Sequence, residues 1–495
     1  MNLADAIEIN ARRRPDHPAI IGPDGHVMRY HEYGTAVSRW ATVLVNMKFG
    51  PGDIIGLNLK DTAEHLIALY AIARAGAAIL PMDWRWTEEE KTRIVDFFGA
   101  KAVFSEADDP FLSANGGWSN LVLDAEWQDS AENVEPRTEF PVSENQALLL
   151  ALSSGTTGTP KGPLITHEQF LARFLIYLIT IGFSERDRYL CATPLYFGGC
   201  RGYSMCSLYA GGTILLHPPP YDVSDLLSYA NRFGATRLFL VPTLLRRLLA
   251  LDGGAAEAPL FETLELLFST GAVLHPEERE ELMQRFCPRY LNFYGSTDGG
   301  GCSALLWDDP TDVANSVGRP VFGATLEIVN SDDSPVKNGD VGRIRYRHPG
   351  TASGYFNDAE ASKGSFRDGW YFPGDLGWTN DAGYLFLAGR ESDMIIRGGV
   401  NIYPAEIEHV LTLHEGVHEA AVLGWPSREF GEEIAAFVVL APNASGQDPS
   451  ELTDYCRQRM APYKVPKEIF RVDALPKSGV GKVLKTELAK ELSPL

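Results

Sequence analysis

The stretch Ser153-Ser154-Gly155-Thr156-Thr157-Gly158-Thr159-Pro160-Lys161-Gly162 carries three glycines, five side-chain hydroxyls and one lysine. In front of it stands the apolar run from Ala147 to Leu152, short enough for a buried strand. Behind it comes Thr166-His167-Glu168-Gln169, with the spacing of a capping box, and then an apolar segment from Phe170 to Ile179. The order is strand, loop, helix. The glycines let the backbone turn and bring its N–H groups close to a ligand, while the hydroxyls add donors and Lys161 adds positive charge. Such a loop suits a polyphosphate. A flexible Gly/Thr linker would have the same composition, but a strand and a capped helix on its two sides argue against one. The loop is not of the Walker A type either, because the four residues after Gly155 lead to Pro160 instead of Gly-Lys-Ser/Thr.

The chain around this loop has 495 residues, too many for one ordinary core, so at least two domains are expected. It carries 44 Lys+Arg against 65 Asp+Glu, a net charge of −21, which disfavours nucleic acid and stable membrane association. Met1 to Arg14 reads as an amphipathic helix and lacks the apolar core of a signal peptide, and no apolar run reaches membrane-spanning length. A cytoplasmic monomer or homodimer is expected. Cys191, Cys200, Cys206, Cys287, Cys302 and Cys456 show no C-x-x-C pair or metal-ligand spacing and read as free, buried thiols.

From Ala19 to Glu106 strands and helices alternate. Asp53 to Leu59 reads as a strand, Ala63 to Ala75 as a helix, and Ala77 to Leu80 as a strand stopped by Pro81. Thr87 with Glu90 caps the next helix, and Ala102-Val103-Phe104 is a strand. Single helices between strands imply a doubly wound α/β domain with helices on both faces of a parallel sheet. The last hundred or so residues, with strands at Ala420–Leu423 and Ile434–Leu440 and a helix from Ser450, read as a small α+β domain. Pro404, at a first helical turn, opens that unit.

Further motifs follow in order. Tyr189 to Arg201 contains Phe197-Gly198-Gly199, an aromatic beside two residues without side chains, and then Arg201. A guanidinium there needs a partner, either a protein acid or an anionic or carbonyl group of a ligand. A Leu-rich strand, Leu264 to Phe268, leads into Ser269-Thr270-Gly271-Ala272-Val273, and Asn292-Phe293-Tyr294-Gly295-Ser296-Thr297-Asp298 comes next. Then come Asp368 to Gly377, holding Gly374-Asp375, and the long segment Gly389 to Glu408. Between Lys464 and Lys485 six basic residues (Lys464, Lys467, Arg471, Lys477, Lys482, Lys485) face two acids (Glu468, Asp473), a local excess of positive charge in an acidic protein.

Taken together these stretches resemble the adenylate-forming enzymes: acyl-CoA and aryl-CoA synthetases, nonribosomal peptide adenylation domains and firefly luciferase. The resemblance implies a large N-terminal AMP-binding domain, residues 1–392, and a small mobile C-terminal domain, residues 393–495. It implies an ATP-dependent ligase that joins a small-molecule carboxylic acid to coenzyme A through an acyl-adenylate, with magnesium assisting. By resemblance Ser153, Ser154, Gly155, Thr156, Thr157, Gly158 and Lys161 hold the phosphates. Gly271 and Ala272 run along the adenine with Asn292, Tyr294, Gly295 and Thr297, and Tyr294 stacks on it. Thr157 and Asp298 lie at the metal. Asp298 stands where the family has Glu, so its carboxylate is one methylene shorter. Asp375, in a stretch with Pro373 where Thr is usual, binds the ribose hydroxyls, and Arg390 contacts ribose or phosphate. Phe197, Gly198, Gly199, Arg201 and Phe293 belong to the acyl pocket, and Arg85, Gly399 and Lys467 to coenzyme A. Asp393 is the hinge and Lys482 the adenylation lysine. Two other functions resemble the family as well: a stand-alone enzyme loading a carrier protein, and a silent nucleotide-binding homologue. The first is disfavoured by the absence of a carrier domain after Lys485; Asp298 and Pro373 are the only support for the second.

Overall fold

The structure, a computed structural model, describes residues 2–109, 111, 116–141, 145–152, 161–251, 259–271, 274–398, 400–441, 449–477 and 483–492. The chain divides into two compact units, Met1–Leu326 with Tyr346–Tyr371, and Glu327–Arg345 with Phe372–Leu495.

The first unit is built on two large sheets. One runs Ser119–Leu123, Ala102–Glu106, Ile54–Asn58, Ala78–Pro81 and Ala147–Leu150, all parallel, with Leu164–Thr166 added antiparallel at the edge. The other has a parallel centre, Tyr290–Ser296, Leu266–Thr270, Arg237–Phe239, Arg188–Cys191, Thr213–Leu216 and Pro18–Ile21, with antiparallel Gly300–Leu305 and then Arg319–Pro320 at one edge and Val27–Arg29 at the other. Strands such as Ile54–Asn58 and Thr213–Leu216 are buried at every position, as a parallel sheet covered on both faces requires. The helix Ala63–Ala75 is buried from His65 to Ala75 and ends on Gly76 in the left-handed conformation. One continuous core joins residues of both sheets, among them Ile55, Ile79, Tyr189, Ile214 and Phe268.

The expected elements are present with small shifts. The strand expected to stop at Pro81 includes it, paired with Leu57, and Met82 N–H supplies the next bond to the Leu57 carbonyl. Thr87 accepts from Glu90 N–H, and Thr166 from Gln169 N–H, both in full capping boxes.

In the second unit Val417–Ser427 and Gly431–Leu440 form a long antiparallel pair, flanked by Ile395–Arg397 and by Glu468–Arg471. The helices Pro404–Thr412 and Pro449–Arg457 cover one face through Ile407, Leu411, Leu452 and Cys456, packed on Ile395, Val422, Ile434 and Ile469. This is the α+β arrangement read from the sequence. All six cysteines are free and buried, with the Cys191 and Cys200 sulfurs 3.2 Å apart. Among the described residues no helix is long and apolar enough to cross a membrane.

Candidate active site

Ser153, Ser154, Gly155, Thr156, Thr157 and Gly158 lie outside the described residues, as do Ala272, Gly399 and Lys482. The root of the Gly/Thr loop is defined. Ala151 N–H donates to the Pro163 carbonyl at 3.0 Å and Phe356 N–H to the Gly162 carbonyl at 2.9 Å, and Pro163 forms a β-bridge with Tyr355. The strand leaving the loop and the segment at Tyr355 are therefore held side by side, with half-buried Lys161 at their edge.

Tyr355 carries this geometry onward. Its hydroxyl donates to Oδ2 of Asp298 at 2.8 Å, and the Tyr371 hydroxyl reaches the same oxygen at 3.4 Å. Asp298 is only 7% exposed. Its backbone is fixed by Arg173, on the helix His167–Thr180 that follows the loop. That guanidinium is buried and donates to the carbonyls of Thr297 (2.9 Å), Asp298 (2.9 Å) and Gly350 (2.8 Å). A planar fork spreads its donors over three nitrogens and so serves three separated carbonyls, whereas lysine's three donors radiate from a single nitrogen. In the sequence Arg173 stands out only as a lone charge within the apolar segment Phe170 to Ile179.

The expected adenine-side residues are also neighbours. Leu266–Thr270 and Tyr290–Ser296 pair in parallel, with Ser269 beside Asn292 and Thr270 beside Phe293, so Gly271 leaves the sheet next to Tyr294. Gly295 is required where it stands, since a Cβ there would lie 2.4 Å from the Gly300 carbonyl oxygen across the hairpin.

Phe197 and Phe293, expected in one acyl pocket, stand at the two ends of a chain of ring contacts. Phe197 stacks on Phe239 at 6.3 Å, Phe239 meets Tyr203 at 5.1 Å, Tyr203 meets Tyr177 at 4.9 Å, and Tyr177 meets Phe293 at 6.0 Å. Gly198 and Gly199 begin the helix Gly198–Ala210, and a Cβ on Gly199 would come within 3.3 Å of Phe197 and 3.5 Å of Phe239. Tyr177, Tyr203 and Phe239 were missed from the sequence because each reads as ordinary core. Arg201 pairs with no acid among the described residues; its Nη1 donates to the carbonyls of Tyr196 (2.6 Å) and Leu195 (3.5 Å). Arg85 binds Asp83 through two nitrogens, each at 2.8 Å, and reaches the Tyr196 hydroxyl at 3.1 Å. Its guanidinium thus has protein partners, and it braces the pocket motif at Tyr196.

In the second unit Asp375 and Arg390 are direct partners on adjacent strands, and Arg390 Nε meets Asp375 Oδ1 at 2.9 Å. Arg390 Nη1 donates to the Pro373 carbonyl at 2.8 Å, a contact that any residue at 373 would supply. Lys485 meets Glu408 at 2.7 Å and lies 3.8 Å from Asp393, the expected hinge. The positive excess between Lys464 and Lys485 is partly neutralised by acids outside that stretch: Lys464 pairs with Glu406, Lys477 with Glu419, and Lys485 with Glu408. Lys467 is exposed.

The described residues contain no cluster of three or more His, Cys, Asp or Glu able to hold a metal by themselves. Asp298 offers the hard oxygen that magnesium prefers, but one of its oxygens already accepts from two tyrosines. This chemistry fits an ion brought in on nucleotide phosphates, with Asp298 as one protein ligand, and does not fit a preformed metal cage.

The first unit thus holds a loop root beside a buried carboxylate and a chain of aromatic contacts, and the second is a small α+β unit. The chain belongs to the AMP-binding enzyme family, whose model matches residues 7–356, while the model of the AMP-binding enzyme C-terminal domain matches residues 406–482. It is 30% identical to an indoleacetate–CoA ligase of Aromatoleum aromaticum, over 99% of this chain and 98% of that protein. Among solved structures it resembles ATP-bound MatB from Rhodopseudomonas palustris, with a TM-score of 0.91, 27% identity, and 99% and 98% of the two chains covered. It also resembles o-succinylbenzoate coenzyme A synthetase (MenE) from Bacillus subtilis in complex with ATP and magnesium ion, with a TM-score of 0.86, 27% identity and 98% of each chain covered.

Proposed function

We propose the following course for the reaction this chain catalyses as an AMP-forming acid–thiol ligase, with ATP, coenzyme A and a small carboxylic acid as substrates. A carboxylate is a poor electrophile because its oxygen leaves badly, and transfer of AMP onto it supplies a good leaving group. The acid's carboxylate attacks the α-phosphorus and pyrophosphate departs. The Gly/Thr loop, with Ser153 to Gly158 and Lys161, neutralises the departing phosphates through backbone N–H groups, hydroxyls and one ammonium group. Thr157 and Asp298 would hold magnesium, which supplies further positive charge to the phosphates. Tyr294, with Asn292, Gly271, Ala272, Gly295 and Thr297 around it, positions the adenine, and Asp375 accepts from the ribose hydroxyls beside Arg390. Lys482 places its charge on the oxygens shared by acid and phosphate. After adenylation the chain turns at Asp393, so that residues 393–495 move as the small domain, Lys482 withdraws and the thiol attacks the adenylate carbonyl. Gly399, Lys467 and Arg85 serve coenzyme A, and AMP leaves with the thioester.

The observation that carries this proposal is the linkage of the loop root to Asp298 through Tyr355, with Arg173 of the following helix fixing the Asp298 backbone. It places a buried carboxylate beside the strand that leaves a phosphate-type loop. ATP–pyrophosphate exchange over a panel of carboxylic acids tests adenylation, and complete failure with every acid would favour a silent homologue. Thioester formation with free coenzyme A, compared with a carrier protein as acceptor, tests the second half.

A further inference from the structure

Arg201 belongs to the acyl-pocket motif, yet adenylation as described gives it no task. It lies in the first turn of the helix Gly198–Ala210 and is 2% exposed. Among the described residues only Nη1 has hydrogen-bond partners, the Tyr196 and Leu195 carbonyls. Nε is buried without a partner. Among the described residues the ionisable groups that act on it are Cys200, Tyr177, Arg173 and His65, and none is a carboxylate; burial pulls its pKa down to about 10. A buried guanidinium served by two carbonyls on one nitrogen is under-compensated.

Nη2 borders open space beside Gly198. A Cβ built on Gly198 would have Arg201 Nη2, at 3.8 Å, as its one neighbour within 4 Å among the described residues. Gly202, one turn on, faces the ring and hydroxyl of Tyr177 at 3.6 and 3.7 Å. The guanidinium therefore borders the aromatic chain that runs from Phe197 to Phe293. The local field is positive twice over, because the helix has no acid in its first turn to offset its own N-terminal dipole. A neutral hydroxyl or keto group would satisfy a donor but leave this charge uncompensated.

We propose that the acid activated by this enzyme carries a second carboxylate, remote from the reacting one, and that Nη2 of Arg201 receives it. The proposal rests on the assignment of Phe197 to Arg201 to the acyl pocket.

The test is pyrophosphate exchange by the full-length enzyme on straight-chain and aromatic acids, each offered with a terminal carboxylate, carboxamide or methyl group. The wild type should favour the terminal carboxylate over its methyl counterpart by at least about tenfold in kcat/KM, and Arg201→Gln should shrink that ratio by roughly 10–100-fold, the loss of a hydrogen bond to a charged group. Arg201→Lys should keep part of the preference. A wild type that favours methyl- or carboxamide-ended acids, or an Arg201→Gln enzyme that keeps the wild-type ratio, would overturn the proposal. The wild-type panel decides even if Arg201→Gln fails to fold. Gly199→Leu separates the two assignments. If it leaves the ranking of acids by size unaltered, the pocket assignment itself is wrong. If it alters that ranking while the terminal group makes no difference to the wild type, only the role of Arg201 falls.

Discussion

The carboxylate of Asp375 meets the guanidinium of Arg390 at 2.9 Å, from positions directly opposite each other on neighbouring antiparallel strands. Two residues singled out for the nucleotide thus form one unit. Asp375→Asn keeps the shape but lets only one oxygen accept. It should raise KM for ATP by about tenfold or more, the loss of one charge-assisted hydrogen bond. The melting temperature should hardly move, because Arg390 is half-exposed and such pairs add little stability. Calorimetric AMP binding unchanged from wild type would refute the ribose role.

Arg173→Met should be costly in a different way. It removes the donors serving the carbonyls of Thr297, Asp298 and Gly350 inside the first unit. With buried acceptors left unmade, a loss of roughly 3 kcal/mol or more is expected. A urea midpoint equal to wild type would show that water replaces the guanidinium without penalty.

Lys482→Ala should slow adenylation by roughly 10²–10³, the effect of removing one preorganised charge from a transition state. Thioester formation from supplied acyl-adenylate should change far less. Equal loss in both half-reactions would remove Lys482 from the adenylation step.

Asp393→Pro addresses the hinge. Proline fixes φ, so a rotation about this residue should be blocked while the starting arrangement survives. Pyrophosphate exchange is expected to persist and coenzyme A-dependent turnover to collapse. Wild-type rates in both would move the hinge elsewhere.

Stability should fall in acid. Burial holds His65, His167 and His348 down at about 4, below the ordinary 6.5. Each stabilises the fold fully above pH 6.5, and that contribution is lost as pH falls through 4, because the unfolded chain binds the proton first. Asp61 works the other way. Burial raises it from 3.8 to about 6, so its contribution is present below 3.8 and is lost as pH rises through 6. With three groups against one, the urea midpoint should drop steadily between pH 6.5 and 4, and a flat profile there would contradict these assignments. Asp61→Asn should raise the midpoint at pH 8 and give no gain below pH 4.

Local signals made much of this legible. The helix Ala63–Ala75 has the bounds expected from its apolar spacing, and the capping boxes at Thr87 and Thr166 follow from side chains three residues from their partners. Such contacts are encoded within one turn of chain. The partners of Asp298 were not legible. Tyr355 and Tyr371 lie 57 and 73 residues away, and nothing in either local sequence points back to that carboxylate. The same holds for Tyr177 and Phe239, which pattern as core and acquire a role only by lying between Phe197 and Phe293.

By itself the sequence determined the element order, the α/β class and the set of residues to suspect, because hydrophobic period, caps and glycine positions act over short distances. Only the tertiary structure decided which of those residues share a site and which charges are already paired. It gave Arg85 to Asp83 and Tyr196, gave Lys464 and Lys477 to nearby acids, and left Arg201, among the described residues, with backbone carbonyls as its hydrogen-bond partners. The physical reason is that the cost of a buried charge or polar atom is set by whatever the fold brings within a few ångströms of it, and those neighbours come from strands and helices far apart in the chain.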